Sequence, residues 1–383
     1  MSRVAESMRR GLRRLFWPPQ RVAGVLVLSA LLWRLARWAA GFPFWGDESF
    51  IAVNFLTRDY HDLTQGLDHA QVVSLGFLWL TLALSDLLGP SEWVLRALPT
   101  FAGVLSLLLL WRWAPRALPR RGAFLGIAIF AASYYPTRHA NEVKAYAVDL
   151  LVALVLTMLA WWVWQRGRDP KRWAALAIGG AVGIWFSYPS AFVTAGVLLA
   201  LLGKVVTDRE IRRSCVAWIG GGAAALIFAF NGAWMWQVIG AGQSDANASL
   251  RTSSHWSLAF PPGVGDSIGQ WLLWPVRLAW WFIEVHAGNM LAYPIGGKNG
   301  ASALTLILVV VGIAALWRKR HPLLSLLLWP AGMCLLAAAV RLYPYGSSAR
   351  TTQFLAPALC LLAGVGGVAL VTTPVMLGVF VLA

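Results

Sequence analysis

Ten apolar stretches limit what this chain can become. They fall at about 22–40, 94–112, 121–136, 146–164, 173–189, 190–206, 214–231, 301–317, 322–340 and 354–371. Runs of that length match the hydrocarbon thickness of a bilayer when helical. In lipid a backbone must satisfy its own hydrogen bonds, so helices are the structures such runs can form. The expectation is an all-α polytopic membrane protein with about 10–11 transmembrane helices, organised as one domain over residues 1–383. The eleventh candidate is the apolar segment 373–383 in which the sequence ends, so the natural chain is expected to continue. Composition agrees, at 58% hydrophobic and 13% charged residues, against roughly 25% charged in soluble domains.

The net charge of +16 invites nucleic acid as a partner, but its distribution argues against that. With the N-terminus inside, 21 of the 32 Lys and Arg lie in cytoplasmic segments 1–21, 112–121, 166–172, 204–213 and 318–321, as the positive-inside rule requires. Acids sort the other way, with 12 of 16 outside, and so do five of the six histidines. The rule does not demand that second asymmetry, which points to polar chemistry on the external face. Segment 70–89 is apolar enough to cross, yet crossing would put "RWAPRALPRR", "RGRDPKR" and "REIRR" outside. It is therefore expected to stay external as an interfacial helix. Two large external loops follow, at about 41–93 and 232–299. The second carries "WLLWPVRLAWWFIEVHAGN" at 271–289, which reads as another interfacial helix. Cys215, Cys334 and Cys360 have neither disulfide nor metal spacing.

Within this frame "GFPFWGDESF" stands out, because Asp47 and Glu48 sit side by side at the mouth of a span. They read either as the acidic first turn of an amphipathic helix over 49–60 or as a general base just outside the bilayer. Glu48 is the less determined of the two. Tuning Asp47, capping the helix and binding an acceptor all stay open for it. In "TRHANEVKAYAVDLL", Arg138, Glu142 and Asp149 fall on one face if the segment is helical, with Tyr146 four residues after Glu142. An Arg138–Glu142 surface pair and a polar site are both compatible with that spacing. "RLYPYGSSARTTQF" joins two spans outside, and its Gly-Ser-Ser turn beside Arg350 could cradle a phosphate; an ordinary hairpin with Tyr343 and Tyr345 at the interface fits equally. Arg34 and Arg37 near the outer end of the first span read as snorkelling side chains or as lipid-phosphate ligands.

Four of these stretches resemble, in family order, the GT-C superfamily of polytopic glycosyltransferases, and more narrowly bacterial glycosyltransferase family 39 with its protein O-mannosyltransferase relatives. They are "RLARWAAGFPFWGDES", "LDHAQVVSLGFLWLTLALSDLLGPSEWVLRALPTFAG", "NEVKAYAVDLLVALVL" and "YPYGSSARTTQFLAPALCLLAG". The resemblance covers most of 31–160 and 341–365; the middle matches in hydropathy alone. It implies a sugar donor linked to a polyprenyl phosphate, used on the external face of a bacterial inner membrane, with Asp47 as the base. The acceptor (protein, lipid or glycan) is left open. An inverting transfer needs a carboxylate to take the acceptor proton and positive charge on the leaving phosphate. Arg350, Lys144, Arg138 and Arg96 are the external cations, with Glu142, Tyr146, Tyr345 and His69 as further binding candidates. No motif indicates a cofactor. A divalent metal stays open, with Glu48, His69 and His286 as its candidate donors. One departure concerns "VSLG" at 73–76, where relatives carry prolines. Two other readings remain: a transporter or lipid flippase, for which midplane charges and repeated halves would be expected, and a catalytically silent scaffold of the same fold.

Overall fold

A computed structural model describes residues 19–239, 243, 258–264, 267–297, 302–346 and 348–372. The basic stretch at 1–18 and the apolar 373–383 lie outside the described residues, as does part of the 232–299 loop. Among the described residues the secondary structure is helical, without strands. The principal helices are α1 (Pro19–Ala39), α2 (Gly46–Thr57), α3 (Leu75–Leu88), α4 (Glu92–Ala117), α5 (Arg120–Ala132), α6 (Tyr146–Gln165), α7 (Pro170–Phe186), α8 (Ser190–Thr207), α9 (Cys215–Ile239), α10 (Ile268–Val285), α11 (Ala303–Arg318), α12 (Leu323–Ala339) and α13 (Ala356–Thr372).

All ten expected spans are helical. Six helices, counting the turn that leads into α13, are long and apolar enough by length and composition to cross a membrane. The other four, α5, α7, α11 and α12, have 13, 17, 16 and 17 residues. The protein is an integral membrane protein, and many of its large apolar side chains are exposed around it, Leu28, Trp33, Ile219, Phe230 and Trp317 among them. Helix α3 has 14 residues, about 21 Å at 1.5 Å per residue, short of the ~30 Å core of a bilayer. Helix α5 is shorter still at 13 residues, so length does not separate 70–89 from the expected spans.

Helix α13 is the most buried of the six, packed against α5 and α11. Glycine makes this contact possible. A Cβ on Gly366 would lie 1.8 Å from the Leu308 carbonyl oxygen, and one on Gly364 would lie 2.2 Å from the Gly126 nitrogen. Apolar association drives little between helices in lipid, so close backbone approach at small residues carries the packing. Elsewhere α4 packs on α6, α7 on α9 and α8 on α12.

One reading of Arg34 and one of the 138–149 stretch fail. Of the two readings of Arg34, snorkelling does not hold: the residue is fully buried. The 138–149 stretch is not one helical face either. A short helix at Tyr134–Arg138 and a tight turn at His139–Asn141 end in an extended Glu142 (φ −124°, ψ 145°), and α6 begins only at Tyr146. Asp149 therefore leaves the Arg138–Glu142 face and meets the Ser187 hydroxyl instead.

Candidate functional site

The amphipathic segment expected at 49–60 begins earlier, at Gly46, and this puts Asp47 and Glu48 into the first turn of α2. The two acids then part company. Glu48 is 1% exposed. Its Oε1 accepts from Arg96 Nε at 2.8 Å and from the Val143 N–H at 2.9 Å, and its Oε2 accepts from Arg96 Nη2 at 2.7 Å. Arg96 also donates to the Phe42 and Pro43 carbonyls and lies over the Phe44 ring. Glu48 thus ties the 42–48 loop, α4 and the 139–145 segment together. Arg96 is spent on that fork, so it is not available to a phosphate in the way the sequence suggested.

Asp47 points the other way. Its Oδ2 accepts from Arg350 Nη1 at 2.8 Å, with the two side chains 32% and 27% exposed. Residues 303 apart meet here at the surface of the site. Lys144 lies within electrostatic reach of Asp47, Arg350, Glu142 and Glu48. Burial pushes its ammonium down to about 8, an effect that Arg350 adds to and the three carboxylates oppose. Lys144 Nζ donates to Gln71 Oε1 at 2.6 Å, and Gln71 Nε2 donates to the His69 carbonyl at 3.1 Å. His69 and Ala70 both have positive φ (57° and 52°), a left-handed backbone that costs energy for residues with a Cβ. That turn aims Gln71 at Lys144. The His69 ring is turned elsewhere, stacked on Phe50 with centroids 4.6 Å apart.

Glu142 accepts from Arg138 Nε at 2.6 Å. Burial raises its carboxyl, Arg138 draws it back down, and Glu48 adds a smaller upward push. Tyr146 is within electrostatic reach of Arg350 and Asp47. Asp47, Arg350, Lys144, Arg138, Glu142 and Tyr146 therefore gather on one side of the fold. Tyr345 and His286 do not join them. The Tyr345 hydroxyl donates to His286 Nε2 at 3.1 Å, His286 Nδ1 donates to the Phe282 carbonyl at 2.6 Å, and the Tyr345 N–H donates to the Ala259 carbonyl at 2.8 Å. This knot anchors the loop that carries Arg350. The Gly-Ser-Ser turn in that loop includes Ser347, which lies outside the described residues.

Sequence reasoning passed over His139 and Gln353. His139 Nδ1 donates to Gln353 Oε1 in a buried contact that ties the Arg350 loop to the Lys144 segment. Burial and the cations Arg138, Arg350 and Lys144 push this imidazole down to about 4, so it is neutral at pH 7, although the Gln353 bond opposes them. Nothing local marks the pair, which is 214 residues apart. The "VSLG" departure has a local role as well. Ser74 Oγ donates to the Phe186 carbonyl at 2.8 Å, and a Cβ on Gly76 would come 2.7 Å from the Trp185 carbonyl oxygen. The stretch docks the first external loop onto the end of α7.

Among the described residues no group of three or more His, Cys, Asp or Glu could hold a cation. Glu48, His69 and His286 are each engaged separately.

Residues 68–236 match the family model described as dolichyl-phosphate-mannose-protein mannosyltransferase. Among solved structures, an oligosaccharyltransferase of Archaeoglobus fulgidus in complex with zinc and sulfate aligns with a TM-score of 0.53 at 12% identity, over 90% of this chain and 49% of its own. ArnT from Cupriavidus metallidurans bound to undecaprenyl phosphate aligns with a TM-score of 0.54 at 13% identity, over 92% of this chain and 61% of its own. The chain has a GT-C fold. It spans about half to three-fifths of the length of these GT-C structures. No individually curated protein sequence is a significant match to it.

Proposed function

We propose that this GT-C chain is a membrane glycosyltransferase, a single domain that moves a sugar from a polyprenyl-phosphate donor to an acceptor nucleophile, with inversion, on the extracytoplasmic face of a bacterial inner membrane. The observation that carries the reading is the Asp47–Arg350 contact at 2.8 Å, beside a lysine in electrostatic reach of both. It supplies a carboxylate for a proton and two cations for a phosphate at one place.

In this reading Asp47 takes the proton of the acceptor hydroxyl as its oxygen bonds to the anomeric carbon. The bond from that carbon to the phosphate oxygen breaks, and the electron pair leaves with the phosphate. Arg350 and Lys144 stabilise the charge that develops there, the electrostatic effect that dominates many enzymes. Inversion places base and leaving group on opposite faces of the sugar, so Asp47 and Arg350 part in the reacting complex. The donor phosphate competes for Arg350 and leaves the Asp47 carboxylate to the acceptor. Arg138, Glu142 and Tyr146 border the same site and are assigned to substrate contacts. The undecaprenyl phosphate bound to ArnT supports a polyprenyl-linked donor. The acids clustered at one end of the helices favour this reading over a transporter.

The test is release of polyprenyl phosphate from a labelled polyprenyl-phosphate sugar by the purified protein. Its pH dependence has a defined sign. Lys144 is protonated below about 8, so its charge, and with it donor capture, declines as pH rises through that value. We expect kcat/KM for the donor to fall on the alkaline side with an apparent pKa near 8 and Lys144→Arg to remove that limb, because arginine stays charged. An unaltered limb in the variant would reject Lys144 as a phosphate ligand.

Orientation has its own test. In a Cys215→Ser background, a cysteine at exposed Gln65 is expected to label from outside in spheroplasts, and one at exposed Lys319 only after lysis. Labelling of position 319 from outside would invert the scheme.

A further inference from the structure

The first helix carries a cation that the proposed chemistry does not use. Arg34 is 0% exposed. Its Nη1 donates to the Ala30 carbonyl one turn back at 3.1 Å. Its Nε and Nη2 are buried without a hydrogen-bond partner. Among the described residues no carboxylate forms an ion pair with it. A second unmet group belongs to the turn at His139–Asn141, which packs on α1. Asn141 is 4% exposed, and both its amide oxygen and its amide nitrogen lack partners. Gly103 of α4 brings the two sides together, since a Cβ there would lie 2.4 Å from Ala140 Cβ and 3.8 Å from Arg34 Nε. The guanidinium and the 140–141 stretch therefore flank the same glycine. Thr100 Oγ1 fixes that stretch by donating to the Ala140 carbonyl at 3.0 Å.

A guanidinium stays protonated at neutral pH, and an uncompensated charge in a low-dielectric interior is heavily penalised. Water would satisfy the N–H groups but not the charge. Nε and Nη2 form one two-donor edge of the fork, the edge that grips anions side-on, and Asn141, next in sequence to the Ala140 that packs on Gly103, carries a further unpartnered amide. Full burial excludes a lipid headgroup or a nucleotide. A monatomic ion meets both requirements.

We propose that Arg34 and Asn141 hold a buried small monovalent anion, of which chloride is the obvious example, beneath the 139–145 segment. The ion neutralises α1 and fixes the segment that bears Glu142 and Lys144. The ion takes no part in the transfer chemistry itself, so its test reads binding and stability, not turnover.

The full chain in detergent is unfolded thermally in sodium chloride and in sodium gluconate at constant ionic strength. Chloride is expected to raise Tm by a few degrees and to saturate, as a ligand of the native state does, and bromide is expected to replace it. Crystals grown in bromide should show its anomalous signal between Arg34 and Asn141. Arg34→Met should abolish the halide dependence. Should that variant fail to fold, Asn141→Ala carries the test: losing one hydrogen bond to the ion should raise the half-saturating chloride concentration about tenfold. A wild-type Tm indifferent to halide, an unchanged half-point in Asn141→Ala, or water in place of bromide would each overturn the proposal.

Discussion

Asp47→Asn is expected to abolish sugar transfer while leaving the fold and donor binding in place. Asparagine keeps the size of the side chain and an oxygen facing Arg350, so the 2.8 Å contact can persist in weakened form. What it loses is basicity. General-base contributions are typically worth about 10²–10⁴ in rate, and kcat for polyprenyl-phosphate sugar turnover should drop by about that factor. Binding of the polyprenyl phosphate product, measured by isothermal titration, should change by no more than a few fold. Undiminished turnover would remove Asp47 as the base. Loss of turnover together with an altered melting curve would point to a structural defect instead.

Glu48 should behave in the opposite way. Its carboxylate is closed off by Arg96, the Val143 N–H and the Trp45 N–H. Glu48→Gln leaves Arg96 buried without its counter-charge, and removing one partner of a buried ion pair costs about 3–5 kcal/mol. The measurement is the thermal midpoint of the purified protein, which should fall clearly below that of Asp47→Asn. Arg96→Met should cost a similar amount. The double variant Glu48→Gln/Arg96→Met should lose distinctly less than the two single losses added together, because neither leaves a charge stranded in the other's absence. Strict additivity would show that the pair does not hold the 42–48 loop to α4. Two neighbouring acids of the same motif are thereby separated by experiment, one through rate and the other through stability.

The helices were readable because their signal is local. Apolar runs of bilayer length lie contiguous in the chain, and each of the ten expected spans is helical, with ends displaced by up to eight residues. The 138–149 stretch was misread where a periodic argument ran through a turn. Arg138, Glu142 and Asp149 have helical spacing, yet the chain unwinds at Glu142, and a pattern of spacings carries no sign of that break. Burial of Arg34 rules out snorkelling, one of its two readings, because which face of α1 meets α4 and α5 is decided by other helices.

Site residues divide along the same line. Charge sorting between loops, a property of the sequence alone, assembled Asp47, Arg138, Glu142, Lys144 and Arg350 as candidates for one face. It had no means of pairing them. Arg96 and Arg350 are both arginines expected outside, and the sequence treated them alike. The fold buries Arg96 against Glu48 and leaves Arg350 partly exposed against Asp47. His139 and Gln353 escaped notice because their contact exists only once the 139–145 and 343–355 segments meet.

The sequence by itself determined that this protein is a helical membrane protein. Hydropathy and charge act on each segment separately, against lipid and water, so no partner segment is needed to read them. The tertiary structure alone decided which acid meets which arginine. Desolvation and Coulomb energies change steeply over a few ångströms, and those distances are set by how α1, α2, α4 and two loops more than 200 residues apart come to pack together.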